Sequence, residues 1–369
     1  MSVGALDLAI DHPVGRVPGA DRDKRAVLLV QDASWRLTVP GARTRRGRWQ
    51  DREELARTLP LLDTCHGLSV AVEPGLDKGG IVISYLHRAA ARGTLVTGGV
   101  PGPLAARLPF EVRPDTPGVV PGLLEFDARA VAQRRDALVV GLRSRPAVSA
   151  VLVTKRLHFL PGIAAMMAAQ TYRPLELVVV IHSDEPAPEI TAGDVPVRVL
   201  TAPTGTTLGA ALALGSAAAE GELVTKVDDD DHYGPDHVLD LVLARAVSGA
   251  ELVGKSPTVV HLEALDTTVR RVFGAPESWV HRVAGGTLLL SGETLRDVGG
   301  WADVPRAVDS RLIEAVAGAG GRIYRPHDLG YLYVRHADAE HTWATDVGHF
   351  LQSAREQWLG LLSHPVFGT

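Results

Sequence analysis

Apolar and polar positions follow two different periods along the second half of the chain. Short β-branched runs, such as VSAVLVT at 148–154 and LELVVVIH at 175–182, predict buried strands. Between such runs lie segments with a helical period, including FLPGIAAMMAAQ at 159–170 and LGAALALGSAAAEG at 208–221. Strands that alternate with amphipathic helices are typical of a mostly parallel sheet with helices on both faces. The pattern therefore predicts an α/β fold.

The first part of the chain has the same α/β character but no motif. RAVLLVQDASW, LSVAVEP and TLVTGG predict strands, and the polar segment GLRSRPA at 141–147 separates this region from the next. We expect a smaller N-terminal α/β domain over residues 1–145. The main domain is predicted over residues 146–345, and a helical tail over residues 346–369.

Composition limits the class of partner. The 369 residues carry a formal net charge of -5, which disfavours a broad phosphate-binding face for nucleic acid. The single cysteine, Cys65, excludes an intramolecular disulfide, and the first residues lack the pattern of a secretory signal. No apolar run approaches the ~20 residues of a membrane span. We expect a cytoplasmic protein without a transmembrane segment, and peripheral membrane contact and oligomeric state stay open.

One local basic cluster departs from this overall acidity. The segment GARTRRGRWQDR at 41–52 contains five arginines. It lies between an apolar strand pattern and a helix pattern. It is interpreted either as a solvated loop or as a patch that binds phosphate or a polymer. The sequence leaves both alternatives open.

The run of four aspartates, Asp228 to Asp231, follows the strand pattern ELVTKV and precedes the turn signal HYGP. In parallel sheets, ligands bind beyond the carboxyl ends of the strands, which is where this run lies. Four like charges repel one another, so a counter-charge is expected. Carboxylates are ligands for Mg²⁺ or Mn²⁺, whose shell a diphosphate can complete. Strand alternation would place Asp228 and Asp230 on one face.

The run has three other interpretations. A calcium loop starting at Asp229 would place Gly234 correctly, but a strand precedes it and Tyr233 lies where an oxygen ligand belongs. An acidic turn could cap the helix that begins near Pro235, or the run could serve solubility alone. One cap residue would suffice, so the four aspartates favour a cation and a diphosphate.

Three segments together carry a resemblance: VSAVLVTKRLHFLPGIAAMMAAQTYRPLELVVVIHSDE, TLGAALALGSAAAEGELVTKVDDDDHYGPDHVLDLV and GGTLLLSGETLRDVGGWADVPRAVDSRLIEAV. Over about residues 147–345 the chain resembles family 2 glycosyltransferases, which have the Rossmann-like GT-A fold. The resemblance implies sugar transfer from a nucleotide-sugar donor to a saccharide or glycoconjugate, with inversion and with Mn²⁺ or Mg²⁺, as in polysaccharide biosynthesis. A UDP-sugar is favoured, although the nucleobase stays open.

The resemblance also assigns roles along the chain. In its acidic DXD-type motif, Asp230 is the expected metal ligand, with Asp228 and Asp231 beside it and a late histidine, His336 or His341, completing the shell. The expected donor-binding residues are Thr154, Lys155, Arg156, Asp184, Lys226, Asp228 and Asp229.

The expected general base is Asp309, which takes the proton of the acceptor hydroxyl. Family members have an acidic pair here, but Val308 replaces its first member in this chain. Asp309 could instead be only the N-cap of the helix that follows, and Glu314 is a weaker candidate for the base. Gly285, Gly286 and Trp301 are expected on the acceptor side.

Two other functions are alternatives to the transferase. A sugar-phosphate nucleotidyltransferase would carry a glycine-rich, arginine-bearing loop after the first strand, and VTKRLHFLPG lacks those glycines. A non-catalytic carbohydrate-binding or scaffold protein on the same fold stays open because the residue before Asp309 is not acidic. Binding of metal and nucleotide without turnover would favour this scaffold.

Overall fold

The chain divides into two units, Met1–Arg143 and Ser144–Thr369. The structure is a computed structural model, and it describes residues 6–16, 24–49, 53–76, 79–114, 122–337 and 347–369. Among the helices in these ranges, none combines the length and the apolar character needed to cross a bilayer.

The first unit is built on one five-stranded sheet. Its strands are β1 (Arg25–Val30), β2 (Ser34–Thr38), β3 (Arg45–Arg48), β4 (Gly67–Val72) and β5 (Leu95–Gly99), in the order β3-β2-β1-β4-β5. β1, β4 and β5 are parallel, whereas β2 and β3 run antiparallel to their neighbours. Its helices are the 3₁₀ helix Ala56–Thr64, α1 (Gly79–Ala91), α2 (Gly102–Ala105) and α3 (Leu123–Gly141).

The outer edge of β5 is closed by a side chain. The Gln133 amide, which α3 supplies, accepts a hydrogen bond from Val96 N at 2.8 Å and donates one to Val96 O at 2.9 Å. It also donates to Glu111 O at 2.8 Å. Because unpaired buried backbone groups are costly, Gln133 supplies here the partner that another strand would supply.

The second unit contains two sheets. Its strands are β6 (Val148–Thr154), β7 (Leu175–His182), β8 (Val197–Ala202), β9 (Leu223–Val227), β10 (His232–Tyr233), β11 (Leu252–Val253), β12 (Val259–Leu262), β13 (Thr267–Arg271), β14 (Ser278–Val280), β15 (Leu289–Ser291), β16 (Ile323–Arg325), β17 (Tyr331–Arg335) and β18 (Ala354–Leu359). Its α-helices are α4 (Leu160–Ala168), α5 (Leu208–Ala218), α6 (His237–Ser248), α7 (Gly292–Asp297), α8 (Val308–Gly318) and α9 (Val347–Leu351). Strands and helices alternate from β6 to α6, which confirms the predicted α/β fold.

The larger sheet of this unit positions the aspartate run. Its order is β14-β16-β11-β15-β9-β6-β7-β8. β9, β6, β7 and β8 are mutually parallel, while β15 joins this group to the remaining strands in the antiparallel sense. The carboxyl ends of β6, β7 and β9 therefore lie at one edge of the sheet, which we call the carboxyl edge.

Helix α5 packs closely on this sheet because of one small residue. A Cβ added at Gly215 would lie 2.8 Å from a methyl of Val151 and 2.9 Å from a methyl of Val180. The contact buries Val151 and Leu212 in the same core as residues of β9, β15 and α8. The strands that carry the carboxyl edge are thus fixed by a continuous apolar core.

The second sheet of the unit contains the C-terminal region. Its order is β10-β17-β12-β13-β18, and β18 pairs antiparallel with β13, with Arg270 Nη1 3.0 Å from Glu356 Oε2. The helical tail predicted over residues 346–369 is therefore wrong beyond the short helix α9. Along β18 every second residue is less exposed. This period of two is expected for a strand with one face toward the protein and the other toward solvent.

Candidate active site

The aspartate run begins where β9 ends. Burial alternates along it: 37% of the Asp228 side chain and 22% of the Asp230 side chain are exposed, whereas Asp229 and Asp231 are buried. Asp228 and Asp230 therefore remain accessible at the carboxyl edge, and the other two carboxylates face the protein.

Asp228 and Asp309 converge on one buried lysine. Lys226 Nζ lies 2.5 Å from Asp228 Oδ1 and 3.3 Å from Asp309 Oδ1, and the lysine side chain is 5% exposed. Burial alone would lower the pKa of Lys226, but the two carboxylates outweigh it and the pKa is raised. The lysine, predicted as a donor contact, stays charged and joins two elements distant in sequence.

Asp309 lies in the first turn of α8 and does not cap it. The N-cap position is Ala307, in a left-handed conformation, and no side chain caps the helix. Burial raises the pKa of the Asp309 carboxyl; the Lys226 ammonium opposes this rise, and Asp228 adds to it. Glu314 lies on the exposed part of the helix, 3.9 Å from Arg282. The cap interpretation of Asp309 is therefore wrong.

Gly285 and Gly286 line the space beside these carboxylates. A Cβ on Gly286 would lie 2.5 Å from Asp228 Oδ2 and 2.9 Å from the Tyr233 hydroxyl, and one on Gly285 would collide with the Asp309 carboxyl. The two positions require glycine because the carboxylates lie directly against the backbone. Both were predicted on the acceptor side, and the structure places them between Asp228 and Asp309.

Arg156, which follows β6, binds Asp230, the second exposed aspartate of the run. Its guanidinium pairs with Asp229 and lies 2.6 Å from Asp230 Oδ2. Thr154 donates to Asp229 through its hydroxyl and accepts from Arg156 N at 2.9 Å. Burial raises the pKa of Asp230; Arg156 opposes this rise, and the neighbouring aspartates add to it. Thr154, Arg156 and Asp229, predicted as donor contacts, therefore form one bonded group.

Asp231 is directed into the protein. Its two carboxylate oxygens accept hydrogen bonds from the Tyr331 hydroxyl at 2.7 Å and from Val334 N at 3.0 Å. Burial raises its pKa well above the ordinary value for an aspartate. Its predicted role as a metal ligand is wrong, because the carboxylate is buried and used in fixing β17 to the run.

His336 lies beside Asp230, with Nε2 3.9 Å from Asp230 Oδ2 and Nδ1 3.4 Å from Glu263 Oε2. Carboxylate oxygens suit Mn²⁺ or Mg²⁺, imidazole can join them around Mn²⁺, and two ligands at about 2.1 Å from one ion lie at most about 4.2 Å apart. The separation of 3.9 Å lies within this reach, while Arg156 lies 2.6 Å from the same Asp230 oxygen. In the described ranges, no three His, Cys, Asp or Glu side chains form a group that could hold an ion. His341 lies outside the described residues.

The remaining predicted residues lie in three places. Lys155 is exposed after β6, and the exposed Asp184 accepts hydrogen bonds from Thr204 N at 3.2 Å and Thr204 Oγ1 at 2.6 Å beyond β7. Trp301 is buried in the core and donates through Nε1 to Ser216 Oγ at 2.8 Å. Its predicted stacking on an acceptor sugar is wrong, because the ring packs against core side chains.

Tyr233 is a site residue that sequence reasoning did not identify. Its buried hydroxyl accepts from Asp228 N at 2.7 Å and donates to Gly286 O at 2.9 Å. It thereby fixes the backbone of the aspartate run to the glycine turn. The sequence signal was a tyrosine two residues after the last aspartate, but only the fold shows that its hydroxyl lies close to them.

Similarity to known proteins covers part of the chain. Among curated proteins, none matches the sequence. The solved structures that resemble the chain include S. aureus TarS (16% identity, 51% of this chain and 37% of that chain, TM-score 0.38). They also include the mannosyltransferase PcManGT from Pyrobaculum calidifontis in complex with GDP-Man and Mn²⁺ (18%, 54% and 59%, TM-score 0.41) and residues 1–349 of S. aureus TarS with UDP-GlcNAc (14%, 55% and 61%, TM-score 0.40). The matches thus span less than two thirds of those chains.

The family comparison concerns the part of the second unit that holds the aspartate run. The model described as Glycosyl transferase family 2 matches residues 153–262. This range runs from the end of β6 through β12 and includes Arg156, Lys226 and all four aspartates. The match confirms the predicted resemblance over residues 153–262, which make up less than half of the chain.

Proposed function

We propose that this protein is an inverting glycosyltransferase, which moves a hexosyl group from a nucleotide-sugar donor to a saccharide or glycoconjugate acceptor in polysaccharide biosynthesis. The observation that carries the proposal is the convergence of Asp228 and Asp309 on Lys226 at the carboxyl edge. Asp228 and Lys226 lie inside the matched family segment, and the fold brings Asp309 to them from α8.

Asp309 is the proposed general base. It accepts the proton of the acceptor hydroxyl while the hydroxyl oxygen bonds to the anomeric carbon from the face opposite the leaving group. The bond between that carbon and the phosphate oxygen breaks, and the nucleoside diphosphate leaves with its electron pair. The raised pKa of Asp309 makes it a stronger base than an exposed aspartate, and Lys226 orients its carboxylate.

The diphosphate that leaves is negatively charged, so a positive charge near Asp230 is needed to stabilise it. Asp230 and His336 are the residues that would hold a divalent cation, and such an ion, when bound, neutralises charge on the departing diphosphate. Arg156 lies 2.6 Å from Asp230 and supplies a guanidinium to the same region. We assign to Arg156 a contact with the diphosphate, since a planar guanidinium pairs well with phosphate oxygens.

The rest of the donor is assigned to the ends of β6 and β7. Lys155 and Asp184 are exposed there, and Asp184 is held by its bonds to Thr204. A carboxylate can accept hydrogen bonds from a ribose or a nucleobase. We propose a UDP-sugar as the donor to test first.

Calorimetry with a panel of nucleoside diphosphates tests the donor site. UDP, GDP, ADP and CDP are titrated in the presence of Mn²⁺ and, separately, of EDTA. We expect one diphosphate to bind only with the cation, and Asp230→Ala to abolish this binding. The matched control is Asp297→Ala, which removes an exposed aspartate from the end of α7 and should leave binding unchanged.

The outcomes separate the transferase from its rivals. Binding that requires both Mn²⁺ and Asp230 supports the donor site. Binding with no hydrolysis or transfer from any sugar nucleotide supports a scaffold that retains the site. The absence of binding under every condition would contradict the proposed function.

A further inference from the structure

The sheet of the first unit has one buried face and one open face near β1 and β2. Leu28, Trp35 and Leu37 point to the buried face. On the other face, Val27 is 39% exposed and Leu29 is 37% exposed. Strand residues alternate between faces, so these two side chains share the open face with the alternate residues of β2 and β3.

The alternate residues of β2 and β3 are arginines. Arg36 lies directly opposite Arg46 in the antiparallel register, and Arg48 follows Arg46 on the same face, opposite Ser34. Leu29 is the neighbour of Arg36 in β1. We call the surface formed by Arg36, Arg46 and Arg48 with Val27 and Leu29 the arginine face.

The arginines of this face form no ion pair with a described carboxylate, although Glu73 lines the same depression as Leu29 and Arg36. Like charges directly opposite one another on a sheet are destabilising. Within the described ranges, Arg36, Arg46 and Arg48 form no ion pair, whereas Arg88 pairs with Asp11 and Arg92 with Asp63 in the same unit. All three arginines are exposed. The cluster thus has the charge and the accessibility required to bind an external anion.

We infer that the arginine face binds an anionic polysaccharide, a chain with repeated carboxylate, sulfate or phosphate groups, and that this chain is the acceptor class of the enzyme. The second part of the inference rests on the proposed function. Alternate residues of one strand are about 6.8 Å apart, so the arginines form an array that suits repeated charges better than a single small anion. Val27 and Leu29 offer a shallow apolar surface for sugar rings.

Two other polyanions fit this face less well. Single-stranded nucleic acid is bound largely through stacking on aromatic side chains, and tryptophan and tyrosine are the residues enriched at bilayer interfaces. The open-face positions described in β1, β2 and β3 contain no aromatic residue. The observations therefore favour a polysaccharide, whose recognition here needs charge and a flat surface.

Binding of the full chain to polygalacturonate and dextran sulfate tests the inference, with neutral dextran as the uncharged polymer. We expect both anionic polymers to bind, with an affinity that falls as salt rises, and dextran not to bind. The triple variant Arg36→Gln, Arg46→Gln, Arg48→Gln should lose at least ~10-fold in affinity, since it removes three charges that pair with the polymer. Its melting temperature should stay near that of the wild type.

The matched control is the triple variant Arg57→Gln, Arg107→Gln, Arg113→Gln. It removes the same charge from exposed arginines of the same unit that lie off the open face. An equal loss in both triple variants would overturn the inference, because it would show dependence on net charge alone. Tighter binding to oligo(dT) or to phosphatidylserine vesicles than to either polymer, or binding to neither polymer, would overturn it too.

Nucleotide binding separates this inference from the proposed function. UDP titration of the arginine-face triple variant should match the wild type, since none of the three residues belongs to the aspartate site. Polymer binding without nucleotide binding would support the arginine face and contradict the transferase. Nucleotide binding without polymer binding would contradict the arginine face alone.

Discussion

The carboxyl edge of the second unit and the arginine face of the first unit both concentrate charges of one sign. At the carboxyl edge, Lys226 and Arg156 neutralise Asp228, Asp230 and Asp309 from within the chain. On the arginine face, no described carboxylate pairs with Arg36, Arg46 or Arg48. Charged groups that pair within the chain can be buried and held in a fixed geometry, and catalysis requires such a fixed geometry. Charges left unpaired stay exposed and suit a partner from solution.

The largest expected effect concerns catalysis at the carboxyl edge. We predict that Asp309→Asn lowers kcat by about 10²–10⁴, because an amide cannot accept the hydroxyl proton. Nucleotide affinity, measured by calorimetry, should stay within about twofold of the wild type. Glu314→Gln, on the exposed part of the same helix, is the control and should retain activity. Full activity in Asp309→Asn would show that Asp309 is not the general base of the reaction.

Deleting one charge from each region tests whether paired and unpaired charges contribute differently to stability. Lys226→Met leaves Asp228 and Asp309 without their shared cation, so we expect the free energy of unfolding in urea to fall by about 3 kcal/mol. Arg46→Gln relieves repulsion with Arg36 on an open surface, and its effect should stay within about 0.5 kcal/mol or be slightly stabilising. Equal effects of the two substitutions would show that pairing within the chain does not distinguish the two regions.

A smaller effect is expected at the glycine turn that lies against the carboxylates. Gly286→Ala places a methyl 2.5 Å from Asp228 Oδ2, so either the turn or the carboxylate must shift. We predict a loss of about 1–3 kcal/mol in unfolding free energy and weaker nucleotide binding. Gly318→Ala, at the end of α8 with no atom within 4 Å of the added carbon, is the matched control. It should be neutral or slightly stabilising.

A pH dependence is predicted at Asp328, where nearby cations offset only part of the rise in pKa that burial causes. Burial raises the pKa of Asp328 to about 6, against the opposing charges of Arg325 and Lys255. The folded state therefore holds this proton more tightly than the unfolded state, and its contribution to stability is lost as pH rises from about 4 to 6. Asp328→Asn keeps an oxygen that can accept from Ser256 N.

The measurement is the difference in unfolding free energy between Asp328→Asn and the wild type from pH 4 to pH 7.5. We expect the variant to gain relative stability across this window, by on the order of 2 kcal/mol, and the difference to level off above about pH 6.5. Arg46→Gln should show a difference that does not change with pH, since arginine stays charged throughout. A flat profile for Asp328→Asn would show that its cations compensate burial in full.

The sequence predicted the parts of the fold and site that depend on local pattern. The strands around LELVVVIH, the helices between them and the place of the aspartate run at a strand end all follow from period and polarity. The direction of side chains across the sheet did not follow. Asp231 turns to Tyr331, a hundred residues away, and Trp301 turns into the core beside Ser216.

Two further features needed long-range pairing. The strand β18 exists because β13 offers it an edge, and a six-residue segment with mixed polarity does not by itself specify a strand. The pairing of Arg156 with Asp229 and Asp230 depends on β6 and β9 being neighbours in the sheet. Neither the strand order nor the rotamer of Arg156 can be read from one sequence.

The Gln133 amide at β5 has a consequence for association between copies of the protein. A strand at the end of a sheet exposes N–H and C=O groups that can recruit a strand from another molecule and start aggregation. Gln133 already occupies both groups of Val96, and Gly98 N donates to Arg113 O beside it. The Gln133 side chain and the backbone of Arg113 therefore protect this side of the sheet against intermolecular strand addition.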